Sequence, residues 1–95
     1  MTAPASPPSP YRLALQPAAV RDLRALSPDV RRRVDARMLG LAADPRPSGV
    51  KQLAGPARVY RVRAGDYRIL YEIDDAARLV RVSRVRHRSD AYRKR

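Results

Sequence analysis

Residues 58–73 read RVYRVRAGDYRILYEI, and this stretch decides the fold. Two runs in which apolar and polar residues alternate flank Ala64-Gly65-Asp66, a sequence typical of a tight turn. The pattern predicts a strand from Arg58 to Arg63 and a second strand from Tyr67 to Ile73. The two strands should pair as an antiparallel hairpin.

The flanking sequence predicts the remaining elements. Residues 11–15 also alternate and indicate a first strand. Pro17 and Pro28 suit the first turns of two helices, with Ser27 as the N-cap of the second. A turn at residues 74–77 leads into a last strand from Arg78 to about Arg86. The order β-α-α-β-β-β predicts an α+β fold in which a helical hairpin covers one face of a mainly antiparallel, four-stranded sheet.

Composition limits both the organisation and the chemistry. A chain of 95 residues fits one domain, expected at residues 10–95, and the Pro- and Ser-rich residues 1–9 should be disordered. The chain has no cysteine and one histidine, which excludes disulfides, thiol nucleophiles and Cys-rich zinc sites. No cofactor or metal is expected. The N-terminus lacks the pattern of a signal peptide and no apolar run could span a membrane, so a cytoplasmic protein without a membrane partner is expected.

Positive charge dominates the chain and predicts a polyanionic partner. There are 21 Lys and Arg residues against 9 Asp and Glu residues, which gives a formal net charge of +12. Only Lys51 and Lys94 are lysines. The expected partner is either nucleic acid or an acidic protein. The planar fork of arginine matches phosphate geometry, but a GC-rich genome would also favour arginine codons.

Strand alternation predicts which arginines share a face. Tyr67, Ile69, Tyr71 and Ile73 suit the core, which leaves Arg68 on the opposite face, where Arg61 and Arg63 can join it across the hairpin. Arginines grouped in this way can bind a phosphodiester and stabilise the charge of a phosphoryl transition state. RNA supplies its own nucleophile, the 2′-hydroxyl, so such a group could serve a ribonuclease. Arginine stays protonated and is a poor general base.

Four segments together resemble the RelE branch of the RelE/ParE toxin superfamily. The core R-x-G-D-Y-R-x-x-Y begins at Arg63, and H-R-x-D-x-Y ends at Tyr92. The resemblance spans about residues 11–92 and includes two further segments, Asp44-Pro45-Arg46-Pro47 and Lys51-Gln52-Leu53-Ala54-Gly55.

The resemblance implies a RelE-like fold and a bacterial type II toxin. Such a toxin enters the ribosomal A site and acts as a metal-independent endoribonuclease that cleaves mRNA, leaving a 2′,3′-cyclic phosphate and a 5′-hydroxyl. Its partners would be the ribosome, mRNA and a cognate antitoxin protein, with which it would form a hetero-oligomer.

The resemblance also implies a role for each matching residue. Arg61 and Arg63 would bind and activate the substrate, and Arg68 would stabilise the transition state. Arg86 would donate a proton to the leaving group, and Tyr92 would stack on the nucleotide or help activate it. His87 is a further candidate acid or base, while Arg88 and Lys51 are candidate RNA contacts. The best-known nuclease of the family has lysines at the positions of Arg61 and Arg63, so the general base stays open here.

Other interpretations of the same residues stay open. The chain could be a ParE-like toxin that binds and poisons DNA gyrase without cleaving RNA, although ParE-like chains generally lack this arginine set with Tyr92. It could also be an RNA-binding module or a toxin without activity. For Arg61, Arg63 and Arg68, the alternative to a catalytic role is a solvated sheet face or an antitoxin-binding surface.

Overall fold

The computed structural model describes residues 10–53 and 59–91, and the described residues form one sheet and three helices. One five-stranded sheet has the strand order β1-β5-β4-β3-β2. The elements in chain order are β1 (Arg12–Leu15), α1 (Pro17–Arg24), α2 (Pro28–Ala43), β2 (Lys51–Gln52), β3 (Val59–Ala64), β4 (Tyr67–Asp74), β5 (Leu79–His87) and α3 (Arg88–Ala91). The predicted α+β class is confirmed. The expected disordered segment, residues 1–9, lies outside the described residues.

The predicted count of four strands is wrong by one. The additional strand, β2, has only two residues, and Lys51 and Gln52 pair antiparallel with Arg61 and Tyr60. So short a strand leaves no periodic pattern in a sequence, because alternation needs several residues to become visible. β2 widens the sheet beside β3 and places Lys51 next to Arg61.

The hairpin of β3 and β4 forms as the sequence predicts. Ala64 pairs with Tyr67, so Gly65 and Asp66 form a two-residue loop. Gly65 has a φ of 63°, and a positive φ at the first central position of such a loop favours glycine. This turn fixes the register of every later pair between the two strands.

The core lies between one face of the sheet and the first two helices. Val34, Met38 and Leu41 of α2 are buried, as the helical spacing predicts, and Leu23 of α1 joins them. The sheet contributes Tyr60, Val62, Ile69, Tyr71, Val80, Val82 and Val85. Both helices therefore cover the same face, and the opposite face is where the arginines of β3 and β4 lie.

Both helices begin at the predicted prolines, but Ser27 does not cap with its side chain. Pro17 and Pro28 occupy the first helical positions. Ser27 stands at the N-cap of α2 without a side-chain capping hydrogen bond, and its carbonyl accepts a hydrogen bond from the Arg31 N–H at 2.8 Å. The helix start therefore depends on the fixed φ of Pro28 and on burial of the apolar face.

The segment after α2 is tied to the turn between β4 and β5. The Tyr71 hydroxyl donates a hydrogen bond of 2.7 Å to the Pro45 carbonyl. The Arg46 guanidinium contacts both carboxylate oxygens of Asp75, at 3.3 and 3.0 Å, and the Tyr11 hydroxyl donates to the same carboxylate at 2.6 Å. These contacts lie at the end of β5 that is remote from Arg86.

The chain after β5 begins as a short helix. Arg88–Ala91 forms α3, and the Arg88 N–H donates to the Asp66 carbonyl at 2.8 Å. The start of α3 is thus fixed against the β3–β4 turn. Within the described ranges, no helix is both long and apolar enough to cross a membrane.

Candidate functional site

Strand pairing aligns basic residues across four strands of the sheet. Arg63 pairs with Arg68, and Arg68 pairs with Arg86 on its other side. Paired residues on neighbouring strands point to the same side of a sheet. The register likewise places Lys51 beside Arg61, and Arg84 opposite Leu70, which pairs with Arg61. We define the arginine face by these residues: Lys51, Arg61, Arg63, Arg68, Arg84 and Arg86.

A β-bulge in β5 decides whether its arginines reach this face. Val80 and Val82 are buried, so strict alternation would send Arg84 and Arg86 toward the helices. The register shifts by one residue at the bulge, because Leu70 pairs with Arg84 while Tyr71 pairs with Val82. Ser83 is the extra residue. Val85 is therefore buried and Arg86 lies on the arginine face beside Arg68.

Exposure differs sharply among the members of the arginine face. Arg63 is exposed, Arg61 and Arg86 are half-buried, and Arg68 is only 4% exposed. A guanidinium held in such an environment acts through a lower effective dielectric than one at the surface. Arg68 is therefore placed to act strongly on a charge that comes close to it.

Two cavities border the arginine face. A cleft of about 370 Å³ is lined by Gly49, Lys51, Arg61 and Arg63. A smaller cavity of about 40 Å³ reaches Arg68 and Arg88 near the β3–β4 turn. Arg63 lines both cavities, so an anion in the wider cleft would approach the side of the site where Arg68 lies.

Three arginines of this face have no carboxylate partner among the described residues. Within residues 10–53 and 59–91, no carboxylate forms an ion pair with Arg61, Arg63 or Arg86. Arg84 is different, because Asp22 binds it at 2.8 Å. Several unneutralised cations around a cleft favour a polyanion, and a phosphodiester fits the planar fork of arginine.

His87 lies away from the arginine face. It pairs with Tyr67, and the two rings meet edge to face with centroids 5.1 Å apart. Its Nδ1 lies 2.8 Å from the Ser89 hydroxyl and accepts a hydrogen bond from the Ser89 N–H at 3.1 Å. The strand alternation of β5 thus separates His87 from the arginines that the sequence groups with it.

The remaining candidate residues are Arg88, Lys51 and Tyr92. Arg88, the first residue of α3, lines the small cavity, and its Nε lies 3.9 Å from a carboxylate oxygen of Asp66. Lys51 lines the wider cleft. Tyr92 lies outside the described residues, directly after the last residue of α3. Among the described residues, no three His, Cys, Asp or Glu side chains are grouped as metal ligands.

Sequence reasoning missed Arg84 and Asp22. The signal for Arg84 is present, because apolar residues recur at 80, 82 and then 85, and this break in the alternation predicts a bulge. Asp22 gives no such signal. Its contact with β5 joins residues 62 positions apart and depends on how α1 packs against the sheet.

Comparison with known proteins identifies relatives over nearly the whole chain. Residues 13–92 match a family described as the ParE toxin of the type II toxin–antitoxin system parDE. Toxin RelG of Mycobacterium tuberculosis is 36% identical over 90% of this chain and 99% of its own length. Toxin RelE of the same organism is 30% identical over 88% of each chain.

Solved structures share the fold. A chain of the archaeal RelE–RelB complex from Pyrococcus horikoshii superposes with a TM-score of 0.74 and 26% identity, over 83% of this chain and 96% of that one. The RelBE2 toxin–antitoxin complex of M. tuberculosis gives a TM-score of 0.73 with 32% identity, over 82% and 98%. The intact E. coli RelBE complex gives 0.70 with 25% identity, over 81% and 95%.

Proposed function

Because this chain belongs to the RelE/ParE superfamily of type II toxins, we propose that it is an endoribonuclease that cleaves mRNA in the A site of the ribosome. The observation that carries the proposal is that Arg63, Arg68 and Arg86 are aligned across three paired strands. We call these three residues the arginine row. Three aligned guanidiniums beside a basic cleft suit the binding of a phosphodiester and the charge of its transition state.

The proposed reaction is an in-line attack by the 2′-hydroxyl on the adjacent phosphodiester. The bond from the 2′-oxygen to phosphorus forms as the bond to the 5′-oxygen breaks, which leaves a 2′,3′-cyclic phosphate and a 5′-hydroxyl. One proton leaves the 2′-hydroxyl and another must reach the departing oxygen. The nucleophile and the leaving group both belong to the substrate, so no cofactor is needed in this scheme.

Each arginine takes a role that suits its position. Arg61 and Arg63 border the wide cleft and would hold the phosphate. Arg68, the most buried of the row, would stabilise the added negative charge of the transition state. Arg86, on the strand beyond Arg68, would protonate the departing 5′-oxygen. Lys51 and Arg88 border the two cavities and would contact the flanking RNA backbone.

Tyr92 is the proposed acceptor of the 2′-hydroxyl proton. If Tyr92 comes close to the arginine face, the positive charge there would favour its phenolate form, which is the form that accepts a proton. The observed position of His87 supports a structural contact with Tyr67 and Ser89 more than an acid–base role. An arginine cannot act as the base at ordinary pH.

Cleavage of mRNA on translating ribosomes tests the proposal. Arg68→Ala and Arg86→Ala should each reduce the cleavage rate by roughly a hundredfold or more while the protein stays folded. Arg24→Ala, an exposed arginine on α1, is the matched control and should cleave like the parent protein. Equal cleavage by all of these proteins would remove the arginine row from the active site.

The second candidate function is poisoning of DNA gyrase, as expected of a ParE-like toxin, and the matching family is described as the ParE toxin. Growth arrest with DNA breaks and intact mRNA would support that function and contradict the nuclease. The arginine row would then have a role in binding only.

The proposed partner is a cognate antitoxin. The solved relatives include RelE chains in complex with RelB, and a cationic toxin with a net charge of +12 suits a partner that carries an acidic segment. We expect a short reading frame beside this gene whose product copurifies with the toxin as a hetero-oligomer and stops its activity. A gene without such a neighbour would count against the toxin assignment.

A further inference from the structure

The outer edge of β5 loses its strand neighbour before it reaches the arginine face. β1 ends at Leu15, which is in register with Val82, and the Gln16 N–H still donates to the Val82 carbonyl at 2.9 Å. The chain then turns into α1 at Pro17. β5 continues to His87, so its last five residues have no strand of the described sheet on that side.

A single carboxylate from α1 takes the place of the missing strand. Asp22 accepts a hydrogen bond from the Val85 N–H at 2.9 Å, as a carbonyl of a neighbouring strand would do. The same carboxylate binds Arg84 twice, with Nε at 2.8 Å and Nη2 at 3.2 Å. Its side chain is only 18% exposed, so these contacts are partly shielded from water.

We propose that Asp22 is a positioning residue for the nuclease reaction. Its hydrogen bonds with Arg84 and Val85 hold Arg86 in place beside Arg68. The inference rests on the proposed function. It adds Asp22 to the site as a residue that acts through Arg86 and not by contact with the RNA. Arg86 follows immediately after the backbone group that Asp22 binds.

The bulge explains why such a restraint is needed. An extra residue interrupts the ladder of β4 and β5 at Ser83, just before Arg84. The Ser83 hydroxyl donates to the Leu70 carbonyl at 3.1 Å, which holds the inner side of the bulge. Asp22 holds the outer side. Without it, the segment from Arg84 to His87 would be held by β4 on its inner edge alone, next to an irregular pair, and strand edges with fewer contacts open more readily.

Electrostatics supports the same arrangement. Burial alone would raise the pKa of Asp22, but the hydrogen bonds from Arg84 and Val85 and the charge of Arg86 lower it further than burial raises it. The carboxylate is therefore ionised at neutral pH. The carboxylate interacts favourably with the charge of Arg86 and, within the described residues, forms no ion pair with it that would neutralise the guanidinium.

A matched pair of variants separates positioning from general stability. Asp22→Asn keeps an acceptor for the Val85 N–H and loses the charge, and Asp22→Ala loses both. Asp75→Asn is the control, because Asp75 also binds an arginine twice but lies at the other end of β5. Urea unfolding of each variant gives the folded fraction, so that rates are compared per folded molecule.

The readout is single-turnover cleavage with ribosome affinity measured separately. We expect Asp22→Ala to lower the rate at saturating ribosomes roughly 10- to 100-fold, because a misplaced catalytic group costs rate and not binding. Asp22→Asn should fall between Asp22→Ala and the parent. Ribosome affinity should stay unchanged, and Asp75→Asn should cleave at the parent rate.

A double-mutant cycle decides the mechanism. If Asp22 acts through Arg86, adding Asp22→Ala to Arg86→Ala should not reduce the residual rate any further. The inference would be overturned if Asp22→Ala lowered the cleavage rate by the same factor with and without Arg86→Ala, or if Asp22→Ala cleaved at the parent rate. Either result would leave the proposed nuclease function standing. A parent protein that never cleaves mRNA would instead overturn the proposed function, and the inference with it.

Discussion

Arg68 carries a positive charge between two other arginines while only 4% of it is exposed. Burying a charge next to like charges costs free energy on folding, which the surroundings of Arg68 have to offset. In the proposed reaction this charge would stabilise the negative charge that develops in the transition state, because it is already in place before the substrate arrives.

Arg68→Lys tests whether the planar fork matters in addition to the charge. Lysine keeps the positive charge and cannot donate two parallel hydrogen bonds, so we expect cleavage on ribosomes to fall roughly a hundredfold. Arg24→Lys on the exposed surface of α1 should leave the rate unchanged. A lysine variant as active as the parent would mean that Arg68 acts only as a point charge.

Tyr71 links the core to the segment after α2. Its side chain is fully buried, and its hydroxyl donates to the Pro45 carbonyl at 2.7 Å. Tyr71→Phe would leave that carbonyl without this donor, and we expect it to lower the free energy of unfolding by about 1–3 kcal/mol near neutral pH. Urea unfolding at pH 8 measures the difference.

The pH dependence of that difference has a definite sign. Burial raises the pKa of Tyr71 from 10.0 to about 12. Between those values the folded protein keeps the phenol proton and the unfolded chain loses it, so this contribution to stability is complete below pH 10 and declines as pH rises toward 12. The gap between the parent and Tyr71→Phe should therefore narrow above pH 10. A constant gap would contradict the assignment.

At the scale of the element, β5 determines the composition of the arginine face. Its first half follows strict alternation and buries Val80 and Val82. The bulge at Ser83 then shifts the alternation of inward and outward side chains by one residue. As a result, Val85 is buried and Arg84 and Arg86 lie on the arginine face. A single bulge therefore separates the first half of the strand, which alternates toward the core at Val80 and Val82, from the second half, which carries Arg84 and Arg86.

An alanine inserted directly after Ser83 should destroy this arrangement. The insertion would move Val85 to the arginine face and turn Arg84 and Arg86 toward the core, so we expect a loss of at least about 3 kcal/mol in the free energy of unfolding. The same insertion after Ala76, in the exposed turn between β4 and β5, should cost little. Urea unfolding of both variants makes the comparison, and equal tolerance would show that the bulge can absorb a further residue.

At the scale of the molecule, the chain separates its packing surface from its charged surface. The helices and one face of the sheet form the core, and the other face carries Lys51 and the arginine row. With a net charge of +12, long-range attraction to RNA should speed the encounter with the ribosome and depend strongly on salt.

Ribosome affinity measured against salt concentration tests the charged surface. Binding should weaken linearly on logarithmic axes, and Arg63→Gln should reduce the slope by about one, as expected for the loss of one phosphate contact. Arg24→Gln serves as the control on α1. If both variants keep the parent slope, Arg63 does not contact phosphate in the complex.

Sequence by itself determined the fold class, the β3–β4 hairpin and the faces of its residues, because these follow from alternation, helical spacing and turn chemistry within short windows. It did not determine β2, the register of β5 or the bulge at Ser83. Tertiary structure alone decided that Arg86 lies beside Arg68, that His87 lies on the other face, and that Asp22 holds the edge of β5. These arrangements depend on which distant segments pair and pack, and that choice belongs to the free energy of the whole sheet and not to any local pattern.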